Sequence, residues 1–237
     1  MKQLIYRFRL ADDSFYEHKV SVAPDTTESS EDTTPPEWAR LTFHQCSNCT
    51  LKSEDYPYCP VARRLPPLIE MANQLSSYDR IVVEVEHRAR LVSQVTSAQR
   101  ALSSLLGLVM ATSECPHTAY LRPMARFHLP LATEEETAYR AASMYLLAQY
   151  FLHREGQPVD FNLDGLARIY NQLQQVNIAM VKRIRDASSQ DTASNAIVLL
   201  DILAKGVPYS IEDSMSEYRD LFSAYLKGST SKDDAIS

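Results

Sequence analysis

The chain has 237 residues, 45% of them hydrophobic and 23% charged, which is enough apolar surface for one domain or two small ones and excludes disorder throughout. The formal net charge of −6 is divided evenly about residue 95, so neither half concentrates the Lys and Arg through which proteins grip nucleic acid, and that class of partner is not expected. Only 5 glycines occur, none before Gly107, and G-x-G-x-x-G, G-x-x-x-x-G-K-[ST] and G-x-S-x-G are all missing, which disfavours dinucleotide, P-loop, kinase and ordinary α/β-hydrolase sites.

Residues 1–95 read as mainly β. Leu4, Tyr6, Phe8 and Leu10 alternate with polar or opposite-facing neighbours. Turn chemistry at residues 11–14 leads into a second strand over residues 15–22, which predicts a hairpin. The amino terminus lacks the continuous apolar stretch of a secretory signal, and the longest apolar run, residues 102–111, contains two serines and is too short to span a bilayer. A soluble, cytoplasmic protein with no membrane contact is expected. Residues 24–37 hold five acids and no base among Ser, Thr and Pro, and read as a flexible acidic loop. A short third strand is expected over residues 38–44.

Pro66 and Pro67 open a predicted helix reaching about Ser77, because proline at the first turn gives up no needed N–H. The strongest strand signal follows over residues 80–91, with Ile81, Val83, Val85, Ala89 and Leu91 on the expected core face and Glu84, Glu86, Arg88 and Arg90 opposite.

From residue 97 the period becomes helical. Ala101, Leu102, Leu105, Leu108 and Val109 predict one helix. Thr133 with Glu136 forms a capping box for a second, which runs to a stop at Gly156 with Ala138, Ala141, Tyr145, Ala148 and Leu152 on its apolar stripe. A third carries the cleanest stripe, from Leu163 through Leu166, Tyr170, Leu173, Val176 and Met180 to Ile184, and suits a helical hairpin or a dimer seam. Asp191 caps a fourth helix that stops near Gly206 and Pro208, and Ser210 caps a last one to about Leu226. The fold class is therefore α+β. A small antiparallel sheet in a β-rich part, residues 1–95, packs with a bundle of four to five helices, residues 96–226, as one unit, and a disordered tail occupies residues 227–237.

The chemistry resides in four cysteines at element boundaries. Cys46 and Cys49 form a C-x-x-C after His44, Cys59 precedes Pro60, and Cys115 precedes Pro116 and His117. A C-x-x-C presents two sulfurs to one tetrahedral ion, and Cys59 with Cys115 would complete a four-thiolate zinc site. His44 or His117 is the possible substitute for one thiolate. An iron–sulfur cluster, a reversible dithiol and unrelated buried cysteines are the other readings of the same residues. Cys115 beside His117 also raises a reactive thiol, although no orienting acid accompanies it.

Downstream, residues 115–132 contain no acid, and Arg122, Arg126 and His128 form a candidate anion pocket whose competing reading is ion pairs with Glu134 to Glu136. Asn177, Asn195 and Asp201 read as interhelical hydrogen bonds or caps.

The strings His-Gln-Cys-Ser-Asn-Cys, Tyr-Cys-Pro-Val-Ala, Glu-Cys-Pro-His-Thr-Ala-Tyr-Leu-Arg-Pro-Met-Ala-Arg-Phe-His-Leu-Pro and Asn-Ala-Ile-Val-Leu-Leu-Asp resemble an uncharacterised family of bacterial proteins over most of the chain. That resemblance implies a bacterial cytoplasmic origin and no particular activity. The leading expectation is a non-enzymatic, zinc-stapled protein whose helical half binds a protein partner or a second copy. An iron–sulfur or dithiol oxygen-responsive protein is the alternative, and an enzyme using Cys115 the third.

Overall fold

The computed structural model describes residues 3–10, 13–22 and 34–228. Most of the predicted acidic loop, part of the first turn and most of the tail lie outside the described residues.

The predicted hairpin forms from β1 (Gln3–Arg9) and β2 (Phe15–Ser21). Next come α1 (Pro66–Ala72), β3 (Arg80–His87), β4 (Arg90–Ser97) and α2 (Ala98–Ala111). The rest is helical: α3 (Arg122–Arg126), α4 (Glu134–Arg154), α5 (Asp164–Ala187), α6 (Thr192–Leu221) and α7 (Ser223–Gly228). This is the expected α+β class. The sheet is antiparallel throughout, in the order β2-β1-β3-β4.

Period-two alternation sends Leu4, Tyr6, Phe8, Val20, Ile81, Val83 and Val85 into the core. The opposite face is charged, with Arg7 bonded to Glu17 and Glu86 and with Arg9 facing Glu84. Apolar residues of the sheet, α1, α2, the middle of α5 and the start of α6 belong to one continuous core. A second, smaller core joins α4 and α5 to the distal part of α6.

Four expectations are corrected. Residues 80–91 are not one strand: β3 turns at Arg88 and Ala89 and returns as β4, with Arg88 at φ 58. The turn carries no Gly, Asn or Asp, the residues that normally mark positive φ, so the pattern ran through it unnoticed. Ala89 and Leu91 are consequently exposed rather than core. Residues 38–44 form a single 3₁₀ turn, one β-bridge from Arg40 to Tyr58, and further turns in place of a strand. Their carbonyls are taken by a side chain, described below. The helix opened by Pro66 ends at Ala72, short of Ser77.

The predicted stop at Gly206 and Pro208 is also absent, since α6 runs through both. Proline inside a helix removes one hydrogen bond, and here packing of α6 against α2, α4 and α5 holds the helix through it. Gly206 instead permits close approach, because a Cβ there would strike the Glu134 carboxylate. The α4 capping box forms as expected, with Glu136 N–H donating to Thr133 Oγ1 at 3.1 Å and Thr133 N–H to Glu136 Oε2 at 2.8 Å. Gly156 takes the left-handed conformation, at φ 70, just beyond the end of α4. Only the first half of the α4 stripe is buried, and Ala148 and Leu152 are exposed. The α5 stripe is consumed within the molecule, largely against α6.

Candidate functional site

The segment between the first hairpin and α1 is irregular, and α5 holds it in place. Arg183, on the buried stripe of α5 and only 1% exposed, donates through Nη1 to the carbonyls of Trp38 (2.9 Å) and Arg40 (2.6 Å) and through Nη2 to that of Leu41 (2.9 Å). These are the carbonyls that a strand would have offered to a neighbour. Farther along, Ser47 donates to Gln175 Oε1 at 3.0 Å, and Asn48 Nδ2 donates to the Gln172 side chain (2.7 Å) and backbone (3.1 Å).

The cysteines lie on this clasped segment and on the loop after α2. Cys49 N–H closes a turn onto the Cys46 carbonyl at 3.0 Å, and Cys59 N–H reaches the Ala39 carbonyl at 2.8 Å. The Cys115 loop joins them through His117, whose Nε2 bonds the Asn48 carbonyl at 2.7 Å. Cys59 is 6% and Cys115 8% exposed, and all four cysteines are free thiols.

Burial pushes the Cys46 thiol up to about 12, and the neighbouring Cys59, Cys115 and Cys49 add to the shift by repelling a thiolate, while Arg183 opposes it. Cys115 is raised for the same first reason, burial, against hydrogen bonds that favour its thiolate. Cys46 thus lies within electrostatic reach of the other three sulfurs, and Cys115 of Cys59. Arg183 feels Cys59, Cys46 and Cys49 in turn, and its Nε is buried with no hydrogen-bond partner among the described residues. No three His, Cys, Asp or Glu side chains among the described residues converge closely enough to form a ready-made metal site.

The substitute ligands are engaged elsewhere through Nε2: His44 with Asp186 at 2.7 Å, and His117 with the Asn48 carbonyl. A raised Cys115 is the opposite of what a nucleophilic thiolate requires.

Arg122 and His128 have different hydrogen-bond partners, while Arg126 and His128 both lie within electrostatic reach of His87. Arg122 donates to the Ser113 carbonyl at 3.5 Å, while Arg126 has a buried Nη1 with no partner among the described residues. His128 bonds the hydroxyl of Tyr6, which also meets Ser104 Oγ at 2.9 Å. Burial first, and then Arg140 and His87, lower His128 to about 3, so it is a neutral group at physiological pH. Among the described residues, neither Arg122 nor Arg126 pairs with Glu134, Glu135 or Glu136.

Of the late polar residues, Asn195 bonds Ser77 and Asp191 at 3.0 Å, as expected, whereas Asp201 pairs with Lys205 one turn along the same helix and leaves Oδ1 buried without a partner among the described residues. Asn177 departs from its expected role and makes no hydrogen bond to a described residue. Arg140, Arg183 and the Tyr6 hydroxyl are the polar groups that sequence reasoning did not single out. Their only signal was polarity within otherwise apolar or half-apolar stripes.

No helix among the described residues is long and apolar enough to cross a membrane. No curated protein and no solved structure matches the chain. A family model described as a domain of unknown function (DUF6901) matches residues 4–223, nearly the whole chain, and the protein belongs to that family.

Proposed function

We propose that the chain is a non-enzymatic, metal-stapled protein of the bacterial cytoplasm, in which Cys46, Cys49, Cys59 and Cys115 together hold one zinc ion. The observation that carries this reading is electrostatic. Three separate stretches of chain bring three free thiols within electrostatic reach of the fourth, Cys46, beside a buried arginine whose Nε has no partner among the described residues. Four thiolates on a divalent cation leave a net charge of about −2, and a buried guanidinium is a suitable neighbour for it. Movement of the thiols toward a common point is required, as for ligands that order only when metal binds.

The staple ties the clasped segment to the loop after α2 and so to the helices. The helical half then presents a surface to a protein partner or a second copy. Leu147, Tyr150 and Phe151 on the distal part of α4, with Phe161 beyond it, are exposed apolar residues of the kind that mark such contacts.

The test is elemental analysis and an absorption spectrum on protein purified without oxygen and without an affinity metal. Zinc near one equivalent per chain, with a melting temperature that falls on chelation, is the expected result. A metal-free chain that melts unchanged after chelation overturns the reading, and iron with visible absorption replaces it with the oxygen-responsive one.

A further inference from the structure

Between α2, α3, α4, α5 and α6 lies a cavity of about 400 Å³. Small-molecule sites occupy roughly 300–1,000 Å³, so it has the size of one, near the lower end. Most of its wall is apolar, including Leu108, Leu121, Met124, Leu173, Leu200 and Leu203. With such walls alone it would be a packing defect, stripped of dispersion contacts on every side.

Three polar side chains set it apart. Tyr170, Leu173 and Asn177 follow the i, i+3, i+7 spacing of one α5 face and all line the cavity. Asn177 is 4% and Tyr170 5% exposed, and neither side chain hydrogen-bonds a described residue. Their polar atoms are not among the fully inaccessible ones, so on these nearly buried side chains the surface that remains is open to the cavity. Arg140 enters from α4. Its Nη2 donates to the carbonyls of Met124 (3.0 Å) and Phe127 (2.8 Å), which fixes the guanidinium plane. Nε and Nη1 carry no hydrogen bond to a described residue, and among the described residues no carboxylate pairs with this half-buried cation. Arg140 and Tyr170 lie within each other's electrostatic reach.

Arg140 is the half-buried cation on the wall, and the exposed Glu136 carboxylate, which accepts from Thr133 N–H, lies within its electrostatic reach without forming an ion pair with it among the described residues. His128, on the wall, is neutral and bonded to Tyr6. Arg100 and Glu134 are exposed and belong to its outer edge. Along α5, seven residues at 1.5 Å each put Asn177 about 10 Å from Tyr170. One end of the cavity thus offers a cation and a phenol, the other an amide able to donate and accept, and the middle is hydrocarbon.

We propose that this cavity binds a small, elongated carboxylic acid with a second polar group, a hydroxyl or carbonyl, about 10 Å from the carboxylate. The carboxylate sits on Arg140 and Tyr170, the hydrocarbon among the leucines, and the distal oxygen on Asn177. One half-buried arginine, with Arg100 only at the exposed edge, matches a monoanion better than a phosphate. An ω-hydroxy or oxo acid of about eight carbons has the required length and close to a dozen heavy atoms, in keeping with a cavity holding roughly the volume of a dozen liquid waters. This site shares no residue with the cysteines, so it stands or falls independently of the staple.

Calorimetric titration of the full chain with 8-hydroxyoctanoate, octanoate and 1-octanol tests it. Saturable binding of one molecule per chain is expected, with the hydroxy acid tightest, octanoate about five- to tenfold weaker and octanol weaker again. Tyr170→Phe, which keeps the ring and therefore the packing, weakens both acids about fivefold and leaves octanol unchanged. Asn177→Leu abolishes the difference between the two acids. Arg140→Gln removes the preference of octanoate over octanol, and should that variant fail to fold, Tyr170→Phe carries the same question. No saturable binding of either acid, octanol as tight as octanoate, or a hydroxy-acid preference that survives Asn177→Leu overturns the proposal.

Discussion

Replacing Arg183 with Met tests how the segment before α1 is held. The side chain is fully buried and makes three charge-assisted bonds to the carbonyls of Trp38, Arg40 and Leu41. At about 1.5–3 kcal/mol each, those bonds sum to roughly 4–9 kcal/mol. Against this stands the desolvation of a guanidinium, several kcal/mol after relaxation, whose mark is the lowering of the Arg183 pKa by burial. Carbonyls left half-satisfied are tolerated better than orphaned donors, which further limits the loss. The balance is a destabilisation of about 3–5 kcal/mol, or a fall in melting temperature of about 10 °C at roughly 2–4 °C per kcal/mol for a chain this size. Arg183→Lys recovers less than half, because one ammonium cannot reproduce a planar fork reaching three oxygens. Urea denaturation measures the free energy, and limited proteolysis should show residues 38–60 cut first in both variants. A loss under about 1 kcal/mol for Arg183→Met, or a Lys variant as stable as the wild type, refutes the clasp.

Two further predictions concern the histidines and a glycine. His128 is held down to about 3 by burial, then Arg140 and His87, and His18 to about 4 by burial, then Arg64, so both are neutral when folded. Because an unfolded imidazole binds its proton near pH 6.5, the unfolded state takes up more protons below that value. The stability these residues contribute is therefore complete above pH 6.5 and is lost as the pH falls towards 4 and 3, at a limiting slope of about 1.4 kcal/mol per pH unit for each group. His128→Gln should flatten that slope between pH 6.5 and 4.5, and a slope that is unchanged in denaturant titrations counts against a neutral buried ring. Gly165→Ala places a Cβ on the Tyr145 hydroxyl, which donates to Asp160 Oδ2 at 2.8 Å while Gly165 N–H donates to the same oxygen at 2.6 Å. A loss of about 1–3 kcal/mol is expected, and adding Tyr145→Phe should restore part of it by removing the clashing atom; a double variant no more stable than Gly165→Ala alone contradicts the close approach.

The elements that could be read from the sequence are those whose signal is periodic or carried by a cap. The alternation in β1 and the spacing in α2 and α5 follow directly from one buried face. The Thr133–Glu136 box marks the start of α4 within a residue because two side chains do one local job there. The hairpin at Arg88 was hidden because that residue adopts positive φ without belonging to the usual turn formers, so the supporting signal is the pairing of β3 with β4, a long-range fact. Residues 38–44 misled for a related reason. Their apolar content suits a strand, but a strand needs a neighbour for its carbonyls, and those carbonyls went to Arg183, more than a hundred residues away.

The same limit explains what could be read of the candidate sites. Leu166, Tyr170, Leu173, Val176, Asn177, Met180, Arg183 and Ile184 all fall on the buried face of α5, and period alone assigns every one of them to the core. Burial is correct for each, yet it has three different meanings along one helix. At Leu166 and Met180 it is apolar packing. At Arg183 the charge is answered by three carbonyls and sits within range of Cys46, Cys49 and Cys59. At Tyr170 and Asn177 nothing among the described residues answers the polar atoms, and a cavity lies in front of them. A polar residue on an apolar stripe is thus a question that the stripe cannot settle, because the answer depends on which segment folds against that turn of the helix. The cysteine spacing was readable because C-x-x-C is local, whereas the cation beside it and the unmatched amide two turns away on the same face became visible only once α5 was packed.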